Sequence, residues 1–73
     1  MAHDHDRNPQ SLLLELLLEK VRRDPYPSTT MLDMIEDMLD QDHVGRYADA
    51  LIEKVREENF PSIDHLRRLR ALA

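Results

Sequence analysis

Apolar residues recur at helical spacing in four stretches of the chain. Within each stretch, positions i, i+3 and i+4 are apolar, which places those side chains on one face of an α-helix. The stripes are Leu13, Leu14, Leu17, Leu18 and Val21; Leu32, Ile35, Met38 and Leu39; Val44, Tyr47, Ala48, Leu51, Ile52 and Val55; and Ile63, Leu66, Leu69 and Leu72. The pattern predicts helices near 9–23, 28–39, 41–58 and 62–72. We therefore expect an all-α fold of two αα-hairpins packed as a small four-helix, bundle-like domain.

The sequence between paired helices is repeated. The letters EKVR occur at 19–22 and 53–56, and each run is followed by an aromatic-Pro-Ser triplet whose serines, Ser28 and Ser62, are 34 residues apart. We call this spacing the repeat period. The repetition predicts an internal duplication, with unit one at 9–40 and unit two at 41–73; two hairpins that converged on the same turn chemistry are the alternative. The repeat period matches the length of tetratricopeptide repeats, but the chain lacks their Trp, Gly-Tyr and Ala-Phe pattern, and we assign no family.

Four polar residues lie where helix N-caps are expected. Ser28 and Ser62 each follow a proline and precede an apolar stripe, and a hydroxyl oxygen there accepts hydrogen bonds from the first helical amides. Asn8 precedes Pro9, which is favoured at the first helical position. Asp40 is expected to cap the third helix, inside which Gly45 lies at a cost of about 1 kcal/mol relative to alanine.

The turn residues Tyr26, Pro27, Phe60 and Pro61 are expected to have structural roles. A proline disfavours helical backbone in the residue before it, so each triplet stops the preceding helix. We expect the rings of Tyr26 and Phe60 to pack under their turns, and each proline to contact a leucine of the following helix.

Composition narrows the function classes. The chain has 73 residues, no cysteine, and a net charge of −5 from 15 acidic and 10 basic residues. It predicts one helical domain at 9–73 after a disordered tail at 1–8. The absence of cysteine excludes disulfides and thiolate metal sites. An acidic protein lacks the basic face that phosphate binding requires, which disfavours nucleic acid. Because the basic residues are mostly arginine, we expect a bacterial protein. Because the sequence has no membrane span, we expect it to be cytoplasmic.

The histidines and acids suggest no catalytic, cofactor or metal site. His43 and His65 have no His or Cys partner at the spacing of a zinc site, and we expect both on the surface. His3 and His5 lie in the predicted tail. No nucleophile-base arrangement or phosphate loop is present in the sequence, so we expect no enzyme activity and no cofactor.

The first unit carries extra apolar residues. Leu12 and Leu16 occupy positions where the second unit has Arg46 and Ala50. Met31 and Met34 likewise stand where it has His65 and Arg68. An exposed apolar patch of this kind marks an interaction site. We therefore expect a homo-oligomer, most simply a dimer, with Leu12, Leu16, Met31 and Met34 at its interface; a central first helix that buries them is the alternative.

A basic patch near the end of the chain consists of Arg67, Arg68 and Arg70. Two of its counterparts in the first unit are acids, Asp33 and Glu36, which predicts attraction between the second and fourth helices, within one chain or between subunits. The interpretation we favour is a non-catalytic helical protein–protein interaction or regulatory module that self-associates or binds an unidentified protein. The alternative is a small helical DNA-binding regulator that uses this patch.

Overall fold

A computed structural model describes residues 8–72, and these form four α-helices. They are α1 (Pro9–Arg23), α2 (Thr29–Met38), α3 (Val44–Glu57) and α4 (Ile63–Leu72). Residues 8–72 contain no strand. α1 packs against α2, and α3 packs against α4. The all-α class and the two αα-hairpins are therefore confirmed, whereas the predicted tail lies outside the described residues apart from Asn8.

The chain divides into two compact units between Leu39 and Asp40. We call the described part of the first unit hairpin 1 (residues 8–39) and that of the second hairpin 2 (residues 40–72). A shift by the repeat period carries the bounds of α2 onto those of α4, and the last residue of α1 onto the last residue of α3. The helix bounds thus follow the repeated letters, while the duplication itself stays a prediction.

The helices of hairpin 1 begin at the predicted caps. The Asn8 side chain accepts a hydrogen bond from the Gln10 amide at 2.8 Å, and Pro9 is the first residue of α1. Ser28 Oγ accepts from the Met31 amide at 3.0 Å. Each bond satisfies one of the amides that the first turn of a helix leaves without an intrahelical acceptor.

The helices of hairpin 2 begin in two different ways. Ser62 Oγ accepts from the His65 amide at 3.2 Å, which confirms Ser62 as the cap of α4. α3 begins at Val44, three residues after the predicted start. Its N-cap residue is His43, which makes no side-chain capping hydrogen bond, so the prediction that Asp40 caps this helix is wrong. Asp40 accepts from the His43 amide at 2.9 Å and caps the turn at 41–43 that leads into α3. Gly45 lies in the first turn of α3, as predicted.

The two hairpins bury different helix faces. Leu18 of α1 is 4% exposed, whereas Ile52, at the equivalent position of α3, is 37% exposed. Leu32 of α2 is 0% exposed and its counterpart Leu66 is 41% exposed. The buried apolar residues are Leu14, Leu18, Val21, Leu32 and Ile35 in hairpin 1, and Tyr47, Ala50 and Leu51 in hairpin 2. The predicted stripes of α3 and α4 are therefore not buried throughout, because Ile52 and Leu66 belong to those stripes and are exposed.

The aromatic rings of the two turns are exposed. Tyr26 is 82% exposed and Phe60 is 91% exposed, so the prediction that they pack under the turns is wrong. In hairpin 1 the Asp24 side chain accepts from the Tyr26 amide at 2.9 Å, a hydrogen bond that fixes the turn through the backbone. Pro27 is the buried residue of this turn, whereas Pro61 is exposed in the other. The rings therefore have no packing role inside the turns.

Candidate interaction surface

An apolar surface runs along the exposed side of hairpin 1. Leu12 is 49% exposed and Leu16 is 51% exposed, and their spacing of four residues places them on one face of α1. On α2, Met34 is 43% exposed and Met31 is half-buried. We call Leu12, Leu16, Met31 and Met34 the α1–α2 apolar surface.

A groove lies between the two helices on this surface. Leu16 of α1 and Met31 of α2 both line it. The other lining residues are Glu19, Lys20, Arg23 and Asp24. Arg23 and Glu19 form an ion pair of 3.1 Å beside it. The structure thus brings together two of the four predicted interface residues, with Leu12 one turn away on α1 and Met34 one turn away on α2.

The outer face of α2 is acidic around one methionine. Thr30, Asp33, Met34 and Asp37 are all exposed, and their spacing is i, i+3, i+4 and i+7. Residues at this spacing form one stripe along a helix. We call these four residues the acidic stripe, which shares Met34 with the α1–α2 apolar surface.

The outer face of α4 has the opposite charge and the same spacing. Ile63 is 62% exposed and Leu66 is 41% exposed. Arg67 and Arg70 are exposed as well, and the four residues again follow i, i+3, i+4 and i+7. We call them the basic stripe.

The basic patch that the sequence suggested is divided between two faces of α4. The Arg68 side chain is only 11% exposed, and its Nε donates to Asp64 Oδ2 at 2.8 Å. Arg67 and Arg70 remain on the exposed stripe. The exposed cationic surface of α4 therefore contains two of the three predicted arginines.

Both described histidines are buried, which corrects the prediction of surface histidines. His43 is 6% exposed, and its Nδ1 lies 2.6 Å from Asp40 Oδ1. The hydrogen bond from this imidazole is the main cause that holds the pKa of Asp40 below its usual value. A histidine can be buried at small cost where a carboxylate accepts its N–H group, and an acid three residues before His43 supplies that acceptor.

His65 has a more distant acidic neighbour. It is 7% exposed, and its Nδ1 lies 3.4 Å from Glu58 Oε1 without hydrogen-bond geometry. The two atoms therefore make a close polar contact rather than a hydrogen bond. His65 occupies the position that Met31 holds in hairpin 1, so one hairpin exposes part of a methionine where the other buries an imidazole.

Ile63 and Leu66 are two exposed residues that the sequence interpretation missed. Their helical spacing assigned them to the core of the fourth helix. The signal that identifies them is the presence of arginine at helical spacing on the same face, since Arg67 and Arg70 follow them there. An apolar pair and a cationic pair on one stripe are more typical of a contact surface than of a core.

The described part of the chain has neither a metal cluster nor a membrane span. Within residues 8–72, no group of three or more His, Cys, Asp or Glu side chains could hold a metal ion. No helix in this range is long and apolar enough to cross a bilayer. No protein-family model matches the sequence, and no curated protein or solved structure matches it.

Proposed function

We propose that this protein is a non-catalytic helical interaction module that self-associates through the α1–α2 apolar surface. The observation that supports the proposal most directly is the exposure of Leu12, Leu16 and Met34, since three large apolar side chains on one hairpin are left about half in water. Contiguous exposed apolar surface rimmed by charge is typical of protein–protein contact sites.

The free energy gained by burying these exposed side chains indicates weak, reversible association. Full burial of one leucine or methionine contributes roughly 1.5–3 kcal/mol, so covering the exposed half of one such side chain contributes about half of that. Three such residues on each of two copies then contribute about 4.5–9 kcal/mol, against a cost of association of at least about 4 kcal/mol, so the net free energy of association is at most about 5 kcal/mol. We therefore expect a dissociation constant of about 0.2 mM or weaker.

Sedimentation equilibrium of the full chain tests the proposal. Between about 50 µM and 5 mM, a range that includes affinities near 0.2 mM, the average mass should rise with concentration. The Leu12→Glu, Leu16→Glu double variant should remain monomeric with an unchanged helical circular dichroism spectrum. A parent protein that stays monomeric throughout this range would contradict self-association.

A matched control separates lost apolar surface from added charge. The Gln10→Glu, Thr29→Glu double variant also adds two negative charges, at exposed positions near helix starts, and removes no leucine. It should associate like the parent. Equal loss of association in both variants would attribute the effect to charge and would contradict a role for the leucines.

The second candidate is a small helical DNA-binding regulator. The exposed Arg67 and Arg70 favour it, but two arginines on a chain of net charge −5 make a small electrostatic footprint. A shift of duplex DNA that weakens steeply with salt would favour this function over the interaction module. We expect no such shift.

A further inference from the structure

We infer that the α1–α2 apolar surface, together with the acidic stripe, docks on the basic stripe of a second copy of this chain. This contact is head-to-tail: hairpin 1 of one copy binds hairpin 2 of the next. The inference rests on the proposed self-association and specifies which two surfaces meet.

Repulsion between acidic residues favours the head-to-tail contact over a twofold contact through α2. A twofold contact through α2 would bring Asp33 and Asp37 of one copy close to the same two acids of the other. Like charges placed opposite each other across an interface oppose binding and exclude that partner. Arg67 and Arg70 on the basic stripe give each acid of the acidic stripe a partner of opposite sign.

The two stripes also match in spacing, and both contain exposed apolar side chains. Met34 lies between the two acids on α2, and Ile63 and Leu66 precede the two arginines on α4. Both sets follow i, i+3, i+4 and i+7, so each presents one straight row of side chains to a neighbouring helix. Burial of the apolar members supplies attraction, while the charged members fix the partner and the orientation.

Each hairpin exposes a helix face whose counterpart in the other hairpin is buried. Leu16 is 51% exposed, whereas its counterpart Ala50 in hairpin 2 is 1% exposed. Conversely, Leu66 is 41% exposed, whereas Leu32 is 0% exposed. The exposed apolar surfaces of the two hairpins therefore lie on helix faces that are not equivalent under the repeat period. A twofold contact through hairpin 1 would leave Ile63 and Leu66 in water, whereas a head-to-tail contact covers both kinds of surface.

A head-to-tail contact has a consequence for assembly. Because the two surfaces in contact differ, a head-to-tail pair still presents one unused surface of each kind, one on each copy. Copies then add further until a ring closes, or continue as an open chain. The average mass should therefore exceed that of a dimer at high concentration.

Two charge-reversed variants test the inference. The first replaces the acids of the acidic stripe, Asp33→Lys with Asp37→Lys. The second replaces the arginines of the basic stripe, Arg67→Glu with Arg70→Glu. Each variant alone would bring like charges together in the head-to-tail contact, so each should associate at least about tenfold more weakly than the parent. An equimolar mixture should recover association, because every contact between the two variants joins opposite charges.

A twofold contact through hairpin 1 gives a different pattern. The variant of the basic stripe would then associate like the parent by itself, and that result would overturn the inference while leaving self-association intact. A mixture of two folded variants that stays monomeric would overturn it as well. A monomeric parent would instead contradict the proposed function, so the two failures are distinguishable.

Controls keep the result interpretable. The Glu53→Lys, Glu57→Lys double variant makes the same charge change as the Asp33→Lys, Asp37→Lys variant, on exposed residues of α3 outside both stripes. It should associate like the parent. If a reversed variant loses its helical spectrum, the milder Asp33→Asn, Asp37→Asn variant replaces it and should bind several-fold more weakly than the parent. An Asn variant that binds as tightly as the parent would overturn the inference. Salt near 1 M, where the Debye length is about 3 Å, should weaken the parent and the rescued mixture alike.

Discussion

A leucine-to-alanine change at two corresponding positions tests the different burial of the two hairpins. Leu32 of α2 and Leu66 of α4 are the same residue type, one repeat period apart, at the fourth position of helices of equal length. Leu32 is 0% exposed and Leu66 is 41% exposed. If burial decides the free energy of unfolding, the two changes should differ strongly although helix propensity changes equally in both.

The expected sizes follow from burial. Replacing a buried leucine by alanine costs about 2–5 kcal/mol, since transfer and cavity terms add. At Leu66 the lost burial is smaller and solvent fills the gap, so we expect a loss below about 1.5 kcal/mol. A chain of this length has a total stability of about 4–11 kcal/mol. One kcal/mol shifts the melting temperature by roughly 4–8 °C in a domain of this size, so Leu32→Ala should lower it by at least about 8 °C.

Urea unfolding followed by circular dichroism measures both changes. The slope of the free energy with urea should stay constant, so that a shift in midpoint reports stability. Measurements at two protein concentrations separate monomer stability from any effect of association at Leu66. Equal losses at the two positions, or a larger loss for Leu66→Ala, would refute the burial assignment.

Three further changes test local features. Ser62→Ala should lose about 0.5–2 kcal/mol because the cap of α4 is removed, whereas Thr29→Ala, at an exposed first position of α2, should change stability by less than about 0.5 kcal/mol in the same melts. Gly45→Ala should stabilise by about 0.4–1 kcal/mol, because a Cβ there meets no atom within 4 Å, and a lower melting temperature would show that the site is crowded. Asp40→Asn should be less stable than the parent near neutral pH. The folded-state pKa of Asp40 is depressed, so its contribution is present above the unfolded value of about 3.9 and is lost as the pH falls through the folded value. Melts across the acid range should show the two proteins converge below about pH 4, and a constant difference would contradict this.

Local sequence determined the four helices and most of their boundaries, the start of α3 excepted. Asn8, Ser28 and Ser62 each accept a hydrogen bond from an amide two or three residues later, so their roles depend on neighbours in the chain. The helical spacing of apolar residues likewise depends only on the geometry of one helix. These features were predictable because the partner groups are fixed by covalent proximity, and the same local sequence indicated Leu12 and Leu16 as surplus apolar residues.

Only the tertiary structure decided which helix faces are buried. Leu32 and Leu66 hold equivalent positions in the repeated sequence, yet one is buried and the other is exposed. His43 and His65 are buried although a polar residue type favours the surface. The rings of Tyr26 and Phe60 are exposed although an aromatic residue type favours the interior. Burial is set by what packs over a side chain from elsewhere in the fold, and an apolar surface as broad as that of α1 offers several faces to such packing. The spacing of the letters therefore determined the helices, while the packing of the helices selected the faces that meet water.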